Sequence, residues 1–526
     1  MRKNAESSIR AVVEAYCLLL FVLLPLYMKH GFIRIGDVKY QLFRNATTLF
    51  FMLLAILLIL WYINGGGRKK SDRFISHTDI LMLVYMAATL ISFWFGKEHH
   101  TAMWGFPGWY MGLLSQLMFV WIYFVLSRWC GSVESVRKAM LSCFICAVTV
   151  MVLAVMNRYT LDPLGTMREM EQGTWEAEHL LSTIGNQNWY CGYVSAAAPI
   201  CYYFGCFGGK NKRIAGLAGC MLTFLTILTQ GSESGYLILL AMMAVLFVDA
   251  WDSRKRLLRF ALAALCCPAA ALLGVQGIRI RGLTLVEDGS IRNVLFWKGW
   301  IVLFLLLGGI CLILYLREKQ GKRDYLKSGR IRKAVLTISG ILIAMGFILF
   351  VLCQVSDVVW AVFGERSLLR IMDDWGNDRG ALWRMSWECF MQSPWYRKLF
   401  GTGPDCFYYA VYSVFAVNDV IHPVGQWGTA VYANAHNEWL NMLINQGILG
   451  MTSYAGIFGV SFIRLWKSRR QTKEAYWGIL AIAGYCVHGM VSFQQVTSTP
   501  LVFAILGISE AILRRGREYG GEPSHS

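Results

Sequence analysis

The sequence lacks the segments that usually separate soluble domains. No proline-rich or serine-rich linker and no long polar tail interrupts its 526 residues, of which only 10 are proline. Charged residues account for 16% of the chain and hydrophobic residues for 56%, and the mean hydropathy is +0.46. Soluble domains of ordinary composition are less apolar than this. We therefore predict one membrane-embedded bundle.

A nucleotide-binding motif is also missing. The chain has no Walker loop and no GxSxG nucleophile elbow, and its CxxC spacing, Cys143 to Cys146, falls within an apolar run. We therefore predict no cofactor. The 15 cysteines lie mostly in apolar runs, where a buried thiol acts as a small hydrophobe. Only Cys389 and Cys406 lie in a polar region, and they are the candidates for a disulfide.

Apolar runs long enough to cross a membrane recur along the whole chain. A helix rises 1.5 Å per residue and a hydrocarbon core is roughly 30 Å thick. These runs must be helices because an isolated strand would leave its backbone groups unpaired in lipid. We predict an all-α polytopic membrane protein with about 12–14 transmembrane helices. The predicted spans are 11–28, 46–63, 80–95, 110–126, 140–156, 189–207, 214–229, 234–248, 257–273, 294–316, 334–354, 438–463, 475–490 and 500–513.

The net charge of +18 is consistent either with a nucleic-acid partner or with basic cytoplasmic loops. The predicted spans place every basic cluster on the side of the N-terminus, which favours the second explanation. We therefore expect a multi-pass cell-membrane protein with both termini in the cytoplasm and no nucleic-acid partner. The clusters lie at 68–73, 210–213, 254–256, 317–333, 464–473 and 514–517.

This topology divides the chain into four parts. Residues 1–354 form an N-terminal bundle of about eleven spans, and 355–437 form a large extracytoplasmic loop before the last three spans. Residues 438–513 carry those spans, and 514–526 form a cytoplasmic tail. Within the loop, an amphipathic helix near 379–393 is predicted to rest at the membrane interface, with Asp378 as its N-cap and Pro394 after its end.

Arginines on the predicted outer side are candidate ligands for a phosphate or diphosphate, which a guanidinium binds with two hydrogen bonds. The alternative is that they pair with Asp373, Asp374 and Asp378 or with lipid headgroups. Asp373, Asp374 and Asp378 with His422 could instead bind a divalent ion, but their spacing matches no ligand motif, and we predict no metal. The candidate arginines are Arg279, Arg281, Arg292, Arg366, Arg370, Arg379, Arg384 and Arg397.

His436 stands at or just before the start of the span that begins near residue 438. The partial positive charge of a helix N-terminus disfavours imidazolium, so the ring is expected to be neutral at pH 7. A neutral imidazole can act as a general base. The alternative is a histidine held in a helix cap. Asn437 and Glu438 either cap this helix or orient His436.

Four features resemble the O-antigen ligase and polymerase superfamily of bacterial membrane glycosyltransferases. They are STIGNQNWYCGYVSAAAPI at 182–200, DRGALWRMSW with SPWYRKLFGTGPDCF at 378–407, AHNEWLNMLINQGILG at 435–450, and the large outer loop between late spans. The likeness covers residues 80–513. It departs at TQGSESGYL, where Glu233 replaces a basic residue that many members carry.

The resemblance implies a metal-independent inverting transfer of a glycan from an undecaprenyl-diphosphate-linked donor to an acceptor hydroxyl. By this likeness His436 is the general base and Arg379 holds the diphosphate, with Arg279, Arg281 and Arg384 as further diphosphate ligands. The expected partners are a lipid-linked oligosaccharide donor and a glycan, lipid or protein acceptor. Whether the reaction is ligation or polymerisation stays open, because only the acceptor differs.

A second hypothesis from another class is a transporter or flippase of lipid-linked glycan or a related solute. Polytopic transporters carry polar groups inside the membrane, and Glu14, Lys298, His488 and Glu510 are such groups here. The large loop with its arginines and histidine argues against it, because a transporter does not need such a loop.

Overall fold

The computed structural model describes residues 2–66, 74–167, 179–281, 294–364, 369–417, 420–421 and 433–520. These segments are almost entirely helical. A π-helix, Leu19–Leu23, joins α1 to α2, and two two-stranded antiparallel sheets pair β1 with β2 and β3 with β4. The strands are β1 (Leu180–Leu181), β2 (Gly185–Asn186), β3 (Ala416–Val417) and β4 (Val420–Ile421). The helices are α1 (Arg2–Leu18), α2 (Leu24–Leu26), α3 (Ile35–Ile63), α4 (His77–Phe95), α5 (His99–Trp104), α6 (Leu113–Trp129), α7 (Val133–Arg158), α8 (Gln187–Ala197), α9 (Pro199–Phe207), α10 (Lys210–Thr229), α11 (Ser234–Ala250), α12 (Arg254–Arg281), α13 (Gly299–Lys319), α14 (Arg330–Val355), α15 (Asp357–Val362), α16 (Trp375–Gln392), α17 (Trp395–Phe400), α18 (Phe407–Phe415), α19 (Glu438–Ser468), α20 (Ala475–His488) and α21 (Thr499–Gly520).

Each predicted span corresponds to helical structure. Within the described residues, nine helical segments are long and apolar enough to cross a membrane, and α6, α11 and α20 are shorter apolar helices. The span predicted at 189–207 is divided between α8 and α9, because Pro199 begins a new helix. The prediction of an all-α polytopic membrane protein is confirmed.

The bundle is held together by close helix contacts at small residues. Helix α21 packs along α6, and α4 packs along α19. A Cβ at Gly507 would lie 2.9 Å from the carbonyl oxygen of Tyr123, so only glycine allows this approach of α21 to α6. Helices α13 and α14 have almost no buried surface, which suits helices surrounded by lipid.

Buried ion pairs join the helix ends that the charge pattern assigns to one side. Asp79 at the start of α4 contacts Arg128 of α6 at 3.0 Å and Arg514 of α21 at 2.5 Å. Arg464 of α19 pairs with Glu510 of α21 at 2.5 Å. Four helices therefore meet at one charged cluster, which lies at the opposite ends of these helices from the large loop.

The helix predicted within the large loop exists, but it begins earlier than the sequence predicts. Helix α16 begins at Trp375 rather than after Asp378, and it ends at Gln392, just before Pro394 as expected. Its apolar face, with Met385 and Cys389, is buried against α18 and the start of α19. The Met385 and Cys389 face is therefore covered by protein, whereas Trp387 and Met391 are about half-exposed, and the position of the helix at the membrane interface stays a prediction. Cys389 and Cys406 are both buried free thiols.

Candidate functional site

Helix α19 is interrupted at Gly447, and the glycine-rich turn of the large loop docks at this break. Gly447 has φ +68° and ψ −171°, so the backbone carbonyl groups before it lose their helical partners. The backbone N–H of Thr402 donates to the carbonyl of Ile444 at 3.1 Å, and that of Gly403 donates to the carbonyl of Asn445 at 3.0 Å. The two most specific sequence motifs therefore contact each other directly.

Asp405 ties this turn to the segment between α5 and α6. Its buried carboxylate accepts hydrogen bonds from the backbone N–H of Phe106 at 2.6 Å and of Met111 at 2.9 Å, and from the indole of Trp109 at 3.2 Å. Burial raises the pKa of Asp405 to about 6. This carboxylate fixes the outer end of the loop against the bundle.

His436 lies two residues before the first residue of α19, as the sequence predicts. Asn437 caps the helix, with its side-chain oxygen accepting from the backbone N–H of Trp439 and Leu440. His436 has a φ of +46°, a conformation that non-glycine residues adopt rarely and that often marks functional sites. Its ring stands edge-on against Phe493, with 5.3 Å between the ring centroids.

The imidazole of His436 is held neutral. Burial and, to a smaller extent, the positive charge of Arg379 together lower its pKa to about 4. The direction is the one that the sequence predicts, but its cause is burial and Arg379 rather than the helix N-terminus. Among the described residues no hydrogen bond occupies either ring nitrogen, so one nitrogen is available to accept a proton.

Arg379 makes no ion pair in the described part of the chain, where no carboxylate oxygen lies within 4.0 Å of its guanidinium nitrogens. Its Nη1 donates to the carbonyl of Gly376 at 2.6 Å, and its Nε has no partner there. Burial lowers the pKa of Arg379, and the carboxylate of Glu233 is near enough to oppose this shift. An arginine stays charged even so, because its ordinary pKa is above 12. Arg379 and His436 thus combine a guanidinium that can bind an anion with a neutral base.

The N-terminal motif at 182–200 packs against the segment that precedes α11. Asn188 of α8 accepts a hydrogen bond from the hydroxyl of Ser232 at 2.7 Å. Arg158, at the end of α7, donates to the carbonyl of Gln230 at 3.1 Å. Glu233 follows this segment directly and is the position at which the sequence departs from the family pattern. Its carboxylate is near enough to Arg379 to act on the pKa of that arginine.

The other predicted diphosphate ligands have different surroundings. Arg384 is half-exposed and binds Asp373 at 2.9 Å and Glu388 at 3.2 Å. Arg281 is exposed and donates to the hydroxyl of Thr160 at 3.3 Å, and Arg279 is exposed at the end of α12. None of these three is among the charges that act on His436. Arg292, Arg366 and His422 lie outside the described residues.

The described residues contain no group of three or more His, Cys, Asp or Glu side chains placed to hold a metal ion. Asp373, one of the suggested ligands, is paired with Arg384. A metal site built on Asp373, Asp374, Asp378 and His422 therefore has no support in this part of the chain.

A buried polar network behind His436 was not predicted from the sequence. The carboxylate of Glu438 accepts hydrogen bonds from the hydroxyls of Tyr454 and Tyr485, and Gln494 donates to Tyr454 at 2.9 Å. Gln116 continues the chain by donating to Gln494 at 2.7 Å. Glu438 therefore anchors the start of α19 inside the bundle and neither caps the helix nor contacts His436. The members of the network lie far apart in the sequence, so no local pattern could reveal it.

Comparison with known families identifies the region that contains this site. Residues 298–455 match the family model described as O-antigen ligase. This region is similar to the O-antigen ligase family. The match includes Arg379, Arg384, the turn at Gly403 and His436, and this supports membership of the O-antigen ligase and polymerase superfamily. No match was found among curated proteins.

The family match and the helices together define the protein at a coarse level. It is a multi-pass membrane protein, and its similarity to the O-antigen ligase family extends from α13 to the middle of α19. At the level of this family, the expected activity is glycan transfer. Arg279, Arg281, the motif at 182–200 and His488 lie outside the matched residues.

Proposed function

We propose that this protein transfers a glycan from an undecaprenyl-diphosphate-linked donor to an acceptor hydroxyl, with inversion and without a metal ion. The reaction takes place on the outer face of the cytoplasmic membrane, with both termini in the cytoplasm. The single observation that carries the proposal is a neutral histidine that feels the charge of an arginine whose Nε has no hydrogen-bond partner among the described residues.

His436 is the general base of this reaction. As the acceptor oxygen forms its bond to the anomeric carbon, His436 takes the hydroxyl proton. A positioned base of this kind accelerates a reaction by roughly two to four orders of magnitude. The lowered pKa of His436 keeps the ring unprotonated at neutral pH, so it is ready to accept the proton.

Arg379 stabilises the leaving group. The bond from the anomeric carbon to the donor phosphate breaks, and its electron pair goes to the phosphate oxygen. A largely buried guanidinium with an N–H that has no protein partner stabilises this developing charge more strongly than one in water. Arg279, Arg281 and Arg384 remain further candidates for the diphosphate, although Arg384 would first have to leave Asp373 and Glu388.

The test is glycan transfer in membranes that contain EDTA. Wild type is expected to transfer, whereas His436→Ala and Arg379→Ala should accumulate unprocessed lipid-linked donor at equal protein abundance. Arg317→Ala, at an exposed arginine in the last turn of α13, is the control and should transfer normally. Normal transfer by both site variants would refute the proposal. A wild type that moves lipid-linked glycan across the membrane without transferring it would favour the transporter hypothesis.

A further inference from the structure

A second histidine is buried beside the proposed site, and its ring has no hydrogen-bond partner. His488 is the last residue of α20, and 1% of its surface is exposed. Neither Nδ1 nor Nε2 has a partner among the described residues. An imidazole always presents at least one N–H, and leaving a buried donor unpaired costs about 1–3 kcal/mol. Such a group needs an explanation, and a ligand that completes it is one.

The surroundings of His488 are polar and are built around a glycine. A Cβ at Gly192 of α8 would lie 3.1 Å from Nε2 of His488, 3.3 Å from Oε1 of Gln495 and 3.3 Å from Oγ of Ser498. These three polar atoms therefore lie around the Cα of Gly192. They come from the last residue of α20 and from the segment that joins α20 to α21. This glycine belongs to the motif at 182–200, so the motif contributes to the same region as His436.

Arg379 connects the two histidines electrostatically. Its positive charge acts on both His436 and His488, so both rings lie within its electrostatic reach. The two histidines differ in burial, because His436 is partly exposed and His488 is fully buried. The backbone N–H of Glu438 donates to the carbonyl of Gly489 at 2.7 Å, so the end of α20 lies beside the start of α19. A ring N–H without a protein acceptor suits a ligand that only accepts hydrogen bonds, such as a diphosphate oxygen, whereas the more exposed His436 suits an acceptor hydroxyl.

We propose that His488 donates a hydrogen bond from its ring N–H to a diphosphate oxygen of the lipid-linked donor, next to Arg379. This inference rests on the proposed function and adds a second diphosphate ligand that the O-antigen ligase match does not include. His488 takes no proton in the reaction. His436 accepts the acceptor's proton, and the electron pair of the broken bond goes to the phosphate oxygen that Arg379 and His488 hold.

The experiment measures the binding of a short polyprenyl diphosphate to the purified full-length protein, separately from glycan transfer. His488→Ala should weaken binding of the diphosphate by about 10–100-fold, as expected for a hydrogen bond to a charged group. It should leave the KM for the acceptor and the pH profile of transfer unchanged. Binding of polyprenol, which lacks the phosphates, should be the same in wild type and variant.

Conservative variants identify the nitrogen that donates. A glutamine amide reaches approximately the position of Nε2, and an asparagine amide that of Nδ1. One of His488→Gln and His488→Asn should therefore restore most of the diphosphate affinity, whereas a purely structural histidine would show no such selectivity. These variants also keep the test valid if His488→Ala does not fold.

A substitution at Gly192 perturbs His488 without changing His488 itself. Gly192→Ala should reduce diphosphate affinity, because its new Cβ presses on Nε2 of His488. The matched control is Gly484→Ala, one turn earlier on α20, where a Cβ would lie 3.3 Å from Ile238 and 3.3 Å from the carbonyl of Ser195. This control does not touch His488 and should keep the wild-type affinity.

The outcomes separate this inference from the proposed function. If wild type transfers glycan, His436→Ala does not, and His488→Ala binds diphosphate as wild type does, the role of His488 is refuted and a buried water is left as its partner. If His488→Ala binds normally but its pH profile shifts, His488 acts as a base and the assignment is wrong. If wild type binds diphosphate through His488 but transfers no glycan, the proposed function fails and the binding site stands.

Discussion

Gly401→Ala is expected to separate the glycine-rich turn from the break in α19. Gly401 has φ +83°, and a Cβ there would lie 2.2 Å from the carbonyl oxygen of Asn445. That oxygen belongs to the backbone and cannot rotate away, so the turn itself must move. The movement would stretch the hydrogen bonds that Thr402 and Gly403 make to α19.

The magnitude follows from these two effects. A left-handed conformation costs a non-glycine residue about 1–2 kcal/mol. Each of the two backbone hydrogen bonds contributes about 0.5–1.5 kcal/mol. Together these effects should lower the free energy of unfolding by about 2–5 kcal/mol. The destabilised part is the junction between the large loop and the bundle. Because a displacement of about 1 Å can reduce a rate by roughly 100-fold, transfer should fall by at least that factor.

The assay compares thermal unfolding in detergent with transfer rate per folded molecule. Gly308→Ala in α13 is the matched control, because a Cβ at Gly308 would meet no atom within 4 Å, and it should leave both quantities unchanged. A Gly401→Ala variant with wild-type stability and wild-type transfer would refute the docking of the turn as a requirement of the site.

Three further predictions concern charged groups. The acid limb of wild-type transfer that comes from His436 should lie near pH 4, below the titration of Asp405 at about pH 6. Arg379→Gln removes a positive charge, raises the pKa of His436 and should move that limb upward. Asp79→Asn leaves Arg128 and Arg514 without their buried partner and should cost about 3–5 kcal/mol in thermal or denaturant unfolding, with the rate per folded molecule unchanged. Asp405→Asn replaces an acceptor of three N–H groups and should destabilise the protein by at least about 1.5–3 kcal/mol and reduce transfer.

Hydropathy and charge predicted the architecture well because lipid imposes a simple rule on every span. Any helix that crosses must be apolar for about 20 residues, and the predicted span at 334–354 falls within α14, from Arg330 to Val355. The same rule does not decide what covers α16, where Met385 and Cys389 form an apolar face that packs against protein. A pattern of apolar residues shows that a face is buried but not whether lipid or protein covers it.

The candidate site was only partly accessible from the sequence. His436 and Arg379 stood out by residue type and position. In the fold, the positive charge of Arg379 is near enough to lower the pKa of His436. Arg384 has the same residue type but is paired with Asp373, a contact between residues eleven positions apart that helical spacing does not suggest. His488 was noted only as a polar group in a late span, because its closeness to Arg379 depends on how α20 packs against the rest of the bundle.

The most direct test of the proposed mechanism is to measure donor binding and glycan transfer separately in the two site variants. We predict that Arg379→Gln loses affinity for polyprenyl diphosphate, whereas His436→Ala binds it as wild type does and yet transfers glycan at least 100-fold more slowly, within the roughly two to four orders of magnitude that a general base supplies. Equal loss of diphosphate binding in both variants, or normal transfer by His436→Ala, would contradict the assignment of anion binding to Arg379 and of proton removal to His436.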